Sequence, residues 1–255
     1  MNDMIKKIID INEPDLMKRK KENPISELEE RIRKMPKALD FIGAFDIFGI
    51  IAEIKLASPS AGEIEKKENV LEIAKDYKNC QANAVSVITE KYFFKGGVNF
   101  IKQVKEITNL PILQKDFVVD PYQIYESRIA GADALLLIAK IISPDQLKKF
   151  VELCLEVGLE PVIEINDELD LGSALQTKTS IIAVNARDLD TFKVNIEKAC
   201  ELLRKIPENY LKLGFSGVNS REEVEKYKNA GARGILVGTN LIKSNERKKF
   251  LEDLR

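Results

Sequence analysis

Eight alternations of a short apolar strand pattern with an amphipathic helix pattern predict an α/β fold, a closed (β/α)8 TIM barrel with an N-terminal helical extension. Three observations carry that prediction. Apolar or β-branched runs recur eight times after about residue 45. Segments with apolar residues near i, i+3, i+4 and i+7 lie between them. The chain has 255 residues, close to the roughly 250 that such a barrel uses. Strands that alternate with helices pair in parallel, because each crossover must carry the chain back across the sheet. An open doubly wound sheet is the competing architecture. It is disfavoured because no G-x-G-x-x-G follows the first strand and no G-x-x-x-x-G-K-[ST] occurs anywhere.

In chain order the strands are read at GIIAEIK (49–55), AVSVIT (84–89), PILQKD (111–116), DALLLIA (133–139), EPVIEIN (160–166), IIAVN (181–185), LKLGFS (211–216) and GILVG (234–238). The helices between them are read at NVLEIAKDYKN, NFIKQVKEIT, PYQIYESRIA, PDQLKKFVELCLEVG, NIEKACELLRKI and REEVEKYKNAG. A shorter one spans Asp167 to Ala174 and carries Gly172. Ser143-Pro144-Asp145 and Asn219-Ser220 are helix-start signals. Gly131, Gly158 and Gly231 sit where a left-handed residue ends a helix. The leading segment, residues 1–45, reads as two or three helices interrupted at Asn12-Glu13-Pro14 and at Asn23-Pro24. It is expected to cap the mouth of the barrel, with a barrel-bottom plug or a solvated arm as the alternatives. Residues 46–255 then form the catalytic barrel.

Composition narrows the function classes. With 44% hydrophobic and 32% charged residues the chain can bury a full core. Forty Lys and Arg against 41 Asp and Glu leave a net charge of −1, which argues against a nucleic-acid surface. There is no histidine, so His-based triads, His general bases and His-ligated zinc are excluded. Cys80, Cys154 and Cys200 are far apart, form no C-x-x-C pair and suit a reduced compartment. No apolar run approaches the roughly 18–20 residues of a membrane span, and the N-terminus lacks the apolar stretch of a signal peptide. The expectation is a cytoplasmic protein, a monomer or a dimer.

Candidate site residues follow from strand phase. In such a barrel the chemistry sits at the carboxyl ends of the strands, and alternate residues point inward. Stepping by two places Glu53 and Lys55 in phase with Ile51, Lys115 with Leu113, Glu164 with Val162, and Asn185 with Ala183. Two lysines, two glutamates and an asparagine then converge on one mouth. Any one of them could instead close the barrel through a salt bridge, such as Glu53 with Lys115 or Glu164 with Lys55. Their joint position at one end favours acid–base work by lysine and glutamate. Ser216-Gly217 after the seventh strand and Gly238-Thr239 after the eighth place small residues where backbone N–H groups can approach a phosphate.

Six segments, IIAEIKLASPSAGEI, SVITEKYFFKGG, PILQKDFVVDPYQIYESRIAGADALLLIAK, GLEPVIEIND, IIAVNARDLDTF and GILVGTNLIK, resemble in order the blocks of the indole-3-glycerol phosphate synthase family. The blocks E-x-K-x-x-S-P-S and K-D-F-x-x-D-x-Y-Q are highly specific. The resemblance runs from about Ile50 to Arg255. It implies a sugar-phosphate substrate, 1-(2-carboxyphenylamino)-1-deoxyribulose 5-phosphate, which is cyclised, decarboxylated and dehydrated to indole-3-glycerol phosphate in tryptophan biosynthesis without a cofactor. By resemblance Lys115 is the general acid of ring closure and Glu164 handles protons in the dehydration. Lys55 lies near the substrate's anionic groups, and Glu53 and Asn185 orient lysine and substrate hydroxyls. Ser58, Phe117 and Arg187 resemble pocket residues, while Ser216, Gly217, Gly238 and Thr239 resemble the phosphate cradle.

This chain departs from the family where it reads Phe215-Ser216-Gly217 instead of E-S-G, with Gly214 where Ala is common. Loss of that carboxylate removes a counter-charge from a pocket with two lysines, and is expected to leave polar partners unpaired. Phe215 could instead pack against the substrate's aromatic ring. Leu56 and Ala186 are milder departures. The alternative function is therefore a barrel that binds the phosphate ligand with impaired or altered catalysis. A further alternative is a sugar-phosphate isomerase, disfavoured because no cysteine stands at a strand end.

Overall fold

The computed structural model describes residues 3–59 and 61–255. Eight parallel strands form a closed barrel: β1 (Gly49–Ile54), β2 (Ala84–Ile88), β3 (Ile112–Lys115), β4 (Ala134–Ile138), β5 (Glu160–Ile165), β6 (Ile181–Asn185), β7 (Leu211–Phe215) and β8 (Gly234–Val237). Each pairs with its sequence neighbours, and β8 closes on β1 in the register Gly49↔Gly234 to Ala52↔Val237. All eight expected strands are present, shorter by one residue at most ends. At the mouth the trimmed residues include Lys55, Asp116, Asn166, Ser216 and Gly238, which leave the ladder where the chain turns into the loops.

The period of two divides the strands cleanly. Ile51, Leu113, Val162, Ala183 and Leu213 fill the barrel interior. Ile50, Ala52, Ile112, Ile163 and Ile182 face outward and pack beneath the helices. Those helices are α3 (Val70–Asn79), α4 (Asn99–Thr108), α5 (Pro121–Ala130), α6 (Pro144–Val157), α7 (Glu168–Ala174), α8 (Ile196–Lys205) and α9 (Arg221–Asn229), preceded in the chain by α1 (Asp3–Glu22) and α2 (Ile25–Arg33). Ser143 and Ser220 make capping boxes at α6 and α9, and Gly131 and Gly158 end their helices at φ 96° and 78°. The short α7 holds because Asp167 accepts from the backbone N–H groups of Leu169 and Asp170 at its start. Two further helices, α10 (Thr239–Lys243) and α11 (Arg247–Leu254), finish the chain and were not anticipated from the sequence. No described helix is long and apolar enough to cross a membrane.

The leading segment corrects one expectation. Pro14 does not interrupt a helix; α1 runs through it from Asp3 to Glu22. An interior proline forfeits one backbone hydrogen bond and crowds the preceding turn, so tertiary contacts must hold this helix. Asn12 donates to Glu90 at 2.8 Å, Lys91 pairs with Asp15 at 2.7 Å, Arg19 with Glu126 at 2.7 Å and Lys20 with Asp120 at 2.6 Å. The Tyr122 hydroxyl adds bonds to the carbonyls of Arg19 and Asn23. Pro24 does break the chain, and α2 starts immediately after it.

Beyond α2 the chain passes under the barrel. Leu39 N–H donates to the buried Asp133 at 2.6 Å, and Arg128 donates to the Pro36 carbonyl. Phe41 and Phe45, with ring centroids 5.3 Å apart, belong to the interior cluster and plug the amino-terminal end. A Cβ on Gly49 or Gly234 would come within 2.7 Å of the Phe45 ring, so the two glycines admit the plug. Phe45→Ala should then cost about 3–5 kcal/mol of stability, the usual loss for a truncated buried aromatic. Urea unfolding measures this, and a change under 1 kcal/mol, on the order of a surface substitution, would mean the plug is dispensable.

Candidate active site

A cavity of about 620 Å³ opens at the carboxyl ends of the strands. Glu53, Lys55, Ser58, Lys115, Phe117, Glu164, Asn185, Arg187, Ser216, Gly217, Gly238 and Thr239 all line it. Strand phase pointed to Glu53, Lys55, Lys115, Glu164 and Asn185, the loop pattern to Ser216, Gly217, Gly238 and Thr239, and the resemblance to Ser58, Phe117 and Arg187. Phe215 is different: it is fully buried within the barrel interior and does not line the cavity. Its expected contact with substrate is corrected accordingly, because the alternation that turns Phe215 inward leaves it beneath Lys115. Ser60, which ends the E-x-K-x-x-S-P-S block, lies outside the described residues.

Glu53 joins the two lysines. It is 2% exposed; Lys55 Nζ lies 2.7 Å from its Oε2 and Lys115 Nζ 3.4 Å from its Oε1. Burial by itself raises the carboxyl, but the charges and hydrogen bonds of Lys55 and Lys115 outweigh it and bring the pKa down to about 2. The site is tight. A Cβ on Gly238 would sit 2.3 Å from Glu53 Oε2, so only glycine allows the end of β8 to pass this carboxylate. Lys115 Nζ also lies over the Phe215 ring, 5.1 Å from its centroid. Both lysines thus keep partners despite the missing carboxylate at 215, against the expectation of unpaired groups.

Across the mouth, Glu164 does not pair with Lys55. Its Oε1 accepts from Asn185 Nδ2 at 3.0 Å, and its buried Oε2 has no hydrogen-bond partner. Asn185 Oδ1 in turn accepts from Ser216 Oγ at 2.8 Å and from Arg187 N–H at 3.0 Å. Asn166 Nδ2 bonds the carbonyls of Asn185 and Arg187, tying β5 to the end of β6. The Arg187 guanidinium is steadied by the Phe192 carbonyl at 2.9 Å.

The turn after β7 is unusual. Ser216 and Gly217 are both left-handed, at φ 70° and 81°, a conformation that costs a serine about 1–3 kcal/mol unless neighbours impose it. Tyr227 of α9 imposes it, its hydroxyl lying 2.8 Å from the Ser216 carbonyl and 3.2 Å from that of Phe215. Tyr227 reaches that position only because residue 214 is glycine; a Cβ there would be 2.4 Å from its ring.

Several lining residues had no assigned role in the sequence. Met4, Ile5 and Ile8 of α1 reach the cavity, as do Phe94, Leu189 and Asn240. Amphipathy marked the apolar face of α1 but not where it docks. Asp116 was visible as the end of the third strand and also lines the cavity. Burial pushes its carboxyl up to about 6, helped by the Glu90 charge and opposed by hydrogen bonds from Thr89 and Phe117 N–H. Thr89 Oγ1 is 2.5 Å and Phe117 N 2.8 Å from its oxygens.

A family model described as indole-3-glycerol phosphate synthase matches residues 5–254. Proteins of that name from Caldanaerobacter subterraneus and Alkaliphilus metalliredigens are similar to the chain. The first is 43% identical over 208 residues, 81% of each chain, and the second 33% identical over 255 residues, 99% of this chain and 98% of the relative. Among solved structures, 3-hexulose-6-phosphate synthase aligns with TM-score 0.65 at 12% identity, covering 81% of this chain and 97% of that one. A mutant tryptophan synthase α-subunit from Pyrococcus furiosus aligns with TM-score 0.64 at 17% identity, covering 82% and 98%. At such identities the two structures share the barrel fold alone.

Glu53 gives stability a pH signature. Its carboxyl falls from 4.5 to about 2 on folding, so the unfolded chain binds more protons in that window. The contribution is complete above about pH 5 and is lost as the pH falls through the folded value. The stability gap between the native chain and Glu53→Gln should be widest above about pH 5 and should narrow toward pH 2. A gap that does not change with pH would count against the shared ion pair.

Proposed function

The chain belongs to the indole-3-glycerol phosphate synthase family, and we propose that its reaction is divided between the lysine pair on one side of the mouth and the Glu164–Asn185–Ser216 chain on the other. It is a carboxy-lyase of tryptophan biosynthesis that acts on a small phosphorylated sugar derivative. The substrate that fits this reaction, 1-(2-carboxyphenylamino)-1-deoxyribulose 5-phosphate, carries a carboxylate and a phosphate. In ring closure the aromatic carbon bearing the carboxylate attacks the ribulose carbonyl. Lys115 donates the proton that turns the carbonyl oxygen into a hydroxyl. Loss of CO2 restores the aromatic ring. The hydroxyl then leaves as water, with a lysine as acid and Glu164 as the acceptor of the remaining proton.

Each assignment draws on an observed contact. Glu53 stays ionised at any working pH, so Lys55 and Lys115 keep a counter-charge while retaining N–H groups for substrate anions. Glu164 has one oxygen held by Asn185 and one without a partner, which suits proton acceptance. The left-handed Ser216-Gly217 turn, Gly238 and Thr239 offer backbone N–H groups to the phosphate, and Ser58 and Arg187 stand at the same mouth. Phe117 and Phe94, with ring centroids 6.2 Å apart, and Ile5 and Ile8 of α1 form the apolar wall for the aromatic ring. The N-terminal extension thus caps the mouth as well as plugging the bottom. The groups assigned to the chemistry are lysines and carboxylates, with Asn185 and Ser216 in support. A reduced compartment, the cytoplasm, suits its three buried free cysteines.

The observation that carries this reading is the convergence of Lys55, Lys115, Glu53 and Glu164 on one cavity. Purified protein given the carboxyphenylamino-deoxyribulose phosphate should develop indole fluorescence, and Lys115→Ala should lower kcat about 100-fold or more, the size of a general-acid contribution. Absence of product from the native chain would overturn the reading. The cap has its own test: Ile8→Ala should raise KM about three- to tenfold, as loss of a few buried methyl groups predicts, with kcat nearly unchanged. An unchanged KM would leave α1 a purely structural element.

A further inference from the structure

Lys115 has two neighbours of opposite character. On one side is Glu53, but that carboxylate is shared: its shorter contact, 2.7 Å, goes to Lys55, and Lys115 is left at 3.4 Å. On the other side is the face of Phe215, 5.1 Å from Nζ. The other charged groups lining the cavity are Glu164 on β5, Arg187 after β6, Asp116 just past the end of β3, Glu197 on α8, and Glu223 and Lys226 on α9. None of these six has a direct contact to the Lys115 ammonium among the described ion pairs.

We propose that Phe215 is a positioning residue for proton transfer, holding the Lys115 ammonium over its π face without accepting any of its protons. The proposal rests on the assignment of Lys115 as the proton donor. A carboxylate at this position would accept a directed hydrogen bond and occupy one N–H. A ring attracts the cation through its quadrupole, so the N–H groups not directed at Glu53 remain available to the substrate carbonyl. The setting favours a strong interaction, since Phe215 is fully buried and the Lys115 side chain only 18% exposed. The backbone that carries the ring is fixed from both sides. Phe215 pairs with Asn185 on β6 and Leu236 on β8, and its carbonyl accepts from Ala186 N–H at 2.9 Å. A tilt of this ring would move the ammonium relative to the carbonyl it must reach, and proton transfer is sensitive to small displacements.

Filling space and holding a cation make different predictions when the ring keeps its shape and loses its quadrupole. Full-length protein carrying 4-fluoro-, 3,5-difluoro- or pentafluorophenylalanine at position 215 should show kcat falling stepwise with fluorine number. The total fall should be roughly three- to thirtyfold, the span expected of a desolvated cation–π contact, while KM and Tm hold. Phe215→Leu should fall as far as the pentafluoro variant, and Phe215→Trp should retain more activity than Phe215→Leu. A flat kcat across the mono- and difluoro variants, which are nearly isosteric with phenylalanine, overturns the proposal and leaves Phe215 as core filling. Lys115→Ala with native kcat would instead remove the proton-donor assignment itself, and this proposal with it.

Discussion

The Glu53 carboxylate, buried between two ammonium groups, is the constraint around which the mouth is organised. A buried carboxylate is costly unless paired, and here one residue supplies the counter-charge for both Lys55 and Lys115. Its position requires the strand ends to converge, since Glu53 and Lys115 belong to strands separated by β2. It also requires the closing strand to pass close by, which is why glycine stands at 238. The paired charges at the mouth and the closure of the barrel are therefore one arrangement: a slipped β1–β8 register would turn Glu53 outward among the apolar residues under the helices.

The N-terminal segment serves both ends of that barrel. The first turns of α1 reach the mouth, its last turns are pinned to α5, and the following stretch carries Phe41 and Phe45 into the bottom. Glu90 is a hinge point of this arrangement. It accepts from Asn12 of α1 and from the backbone N–H groups of Tyr92, Phe93 and Phe94, so the helix and the loop after β2 are held by one buried carboxylate. Phe94, within that loop, is part of the cavity wall. Helix docking and wall geometry are coupled through it.

The two departures from the family pattern on β7 have local physical explanations. Gly214 opens the space that the Tyr227 ring fills, and Tyr227 then holds the left-handed turn at Ser216-Gly217. Phe215 sets an aromatic face beside Lys115, so the interior stays apolar and Lys115 stays engaged. The lysines are not stranded: Lys55 pairs with Glu53, and Lys115 has both Glu53 and the Phe215 ring beside it.

Much of this was legible in the chain itself. The eight strands and the inward phase of Glu53, Lys55, Lys115, Glu164 and Asn185 follow from a period of two, and the helices from caps and apolar spacing, because these depend on neighbours within a few residues. The absence of histidine confined the acid–base groups to lysine and carboxylate. Other features depend on partners far away in the chain. Whether Pro14 breaks α1 was decided by Glu90, Asp120 and Glu126, and whether Glu164 meets Lys55 or Asn185 by the stagger of the strands. Whether Phe215 lines the cavity or lies beside Lys115 in the interior was decided by depth in the barrel. Local sequence determines which way a side chain points; only the closed tertiary structure decides what it meets, because contacts that settle the choice can come from residues a hundred or more positions away.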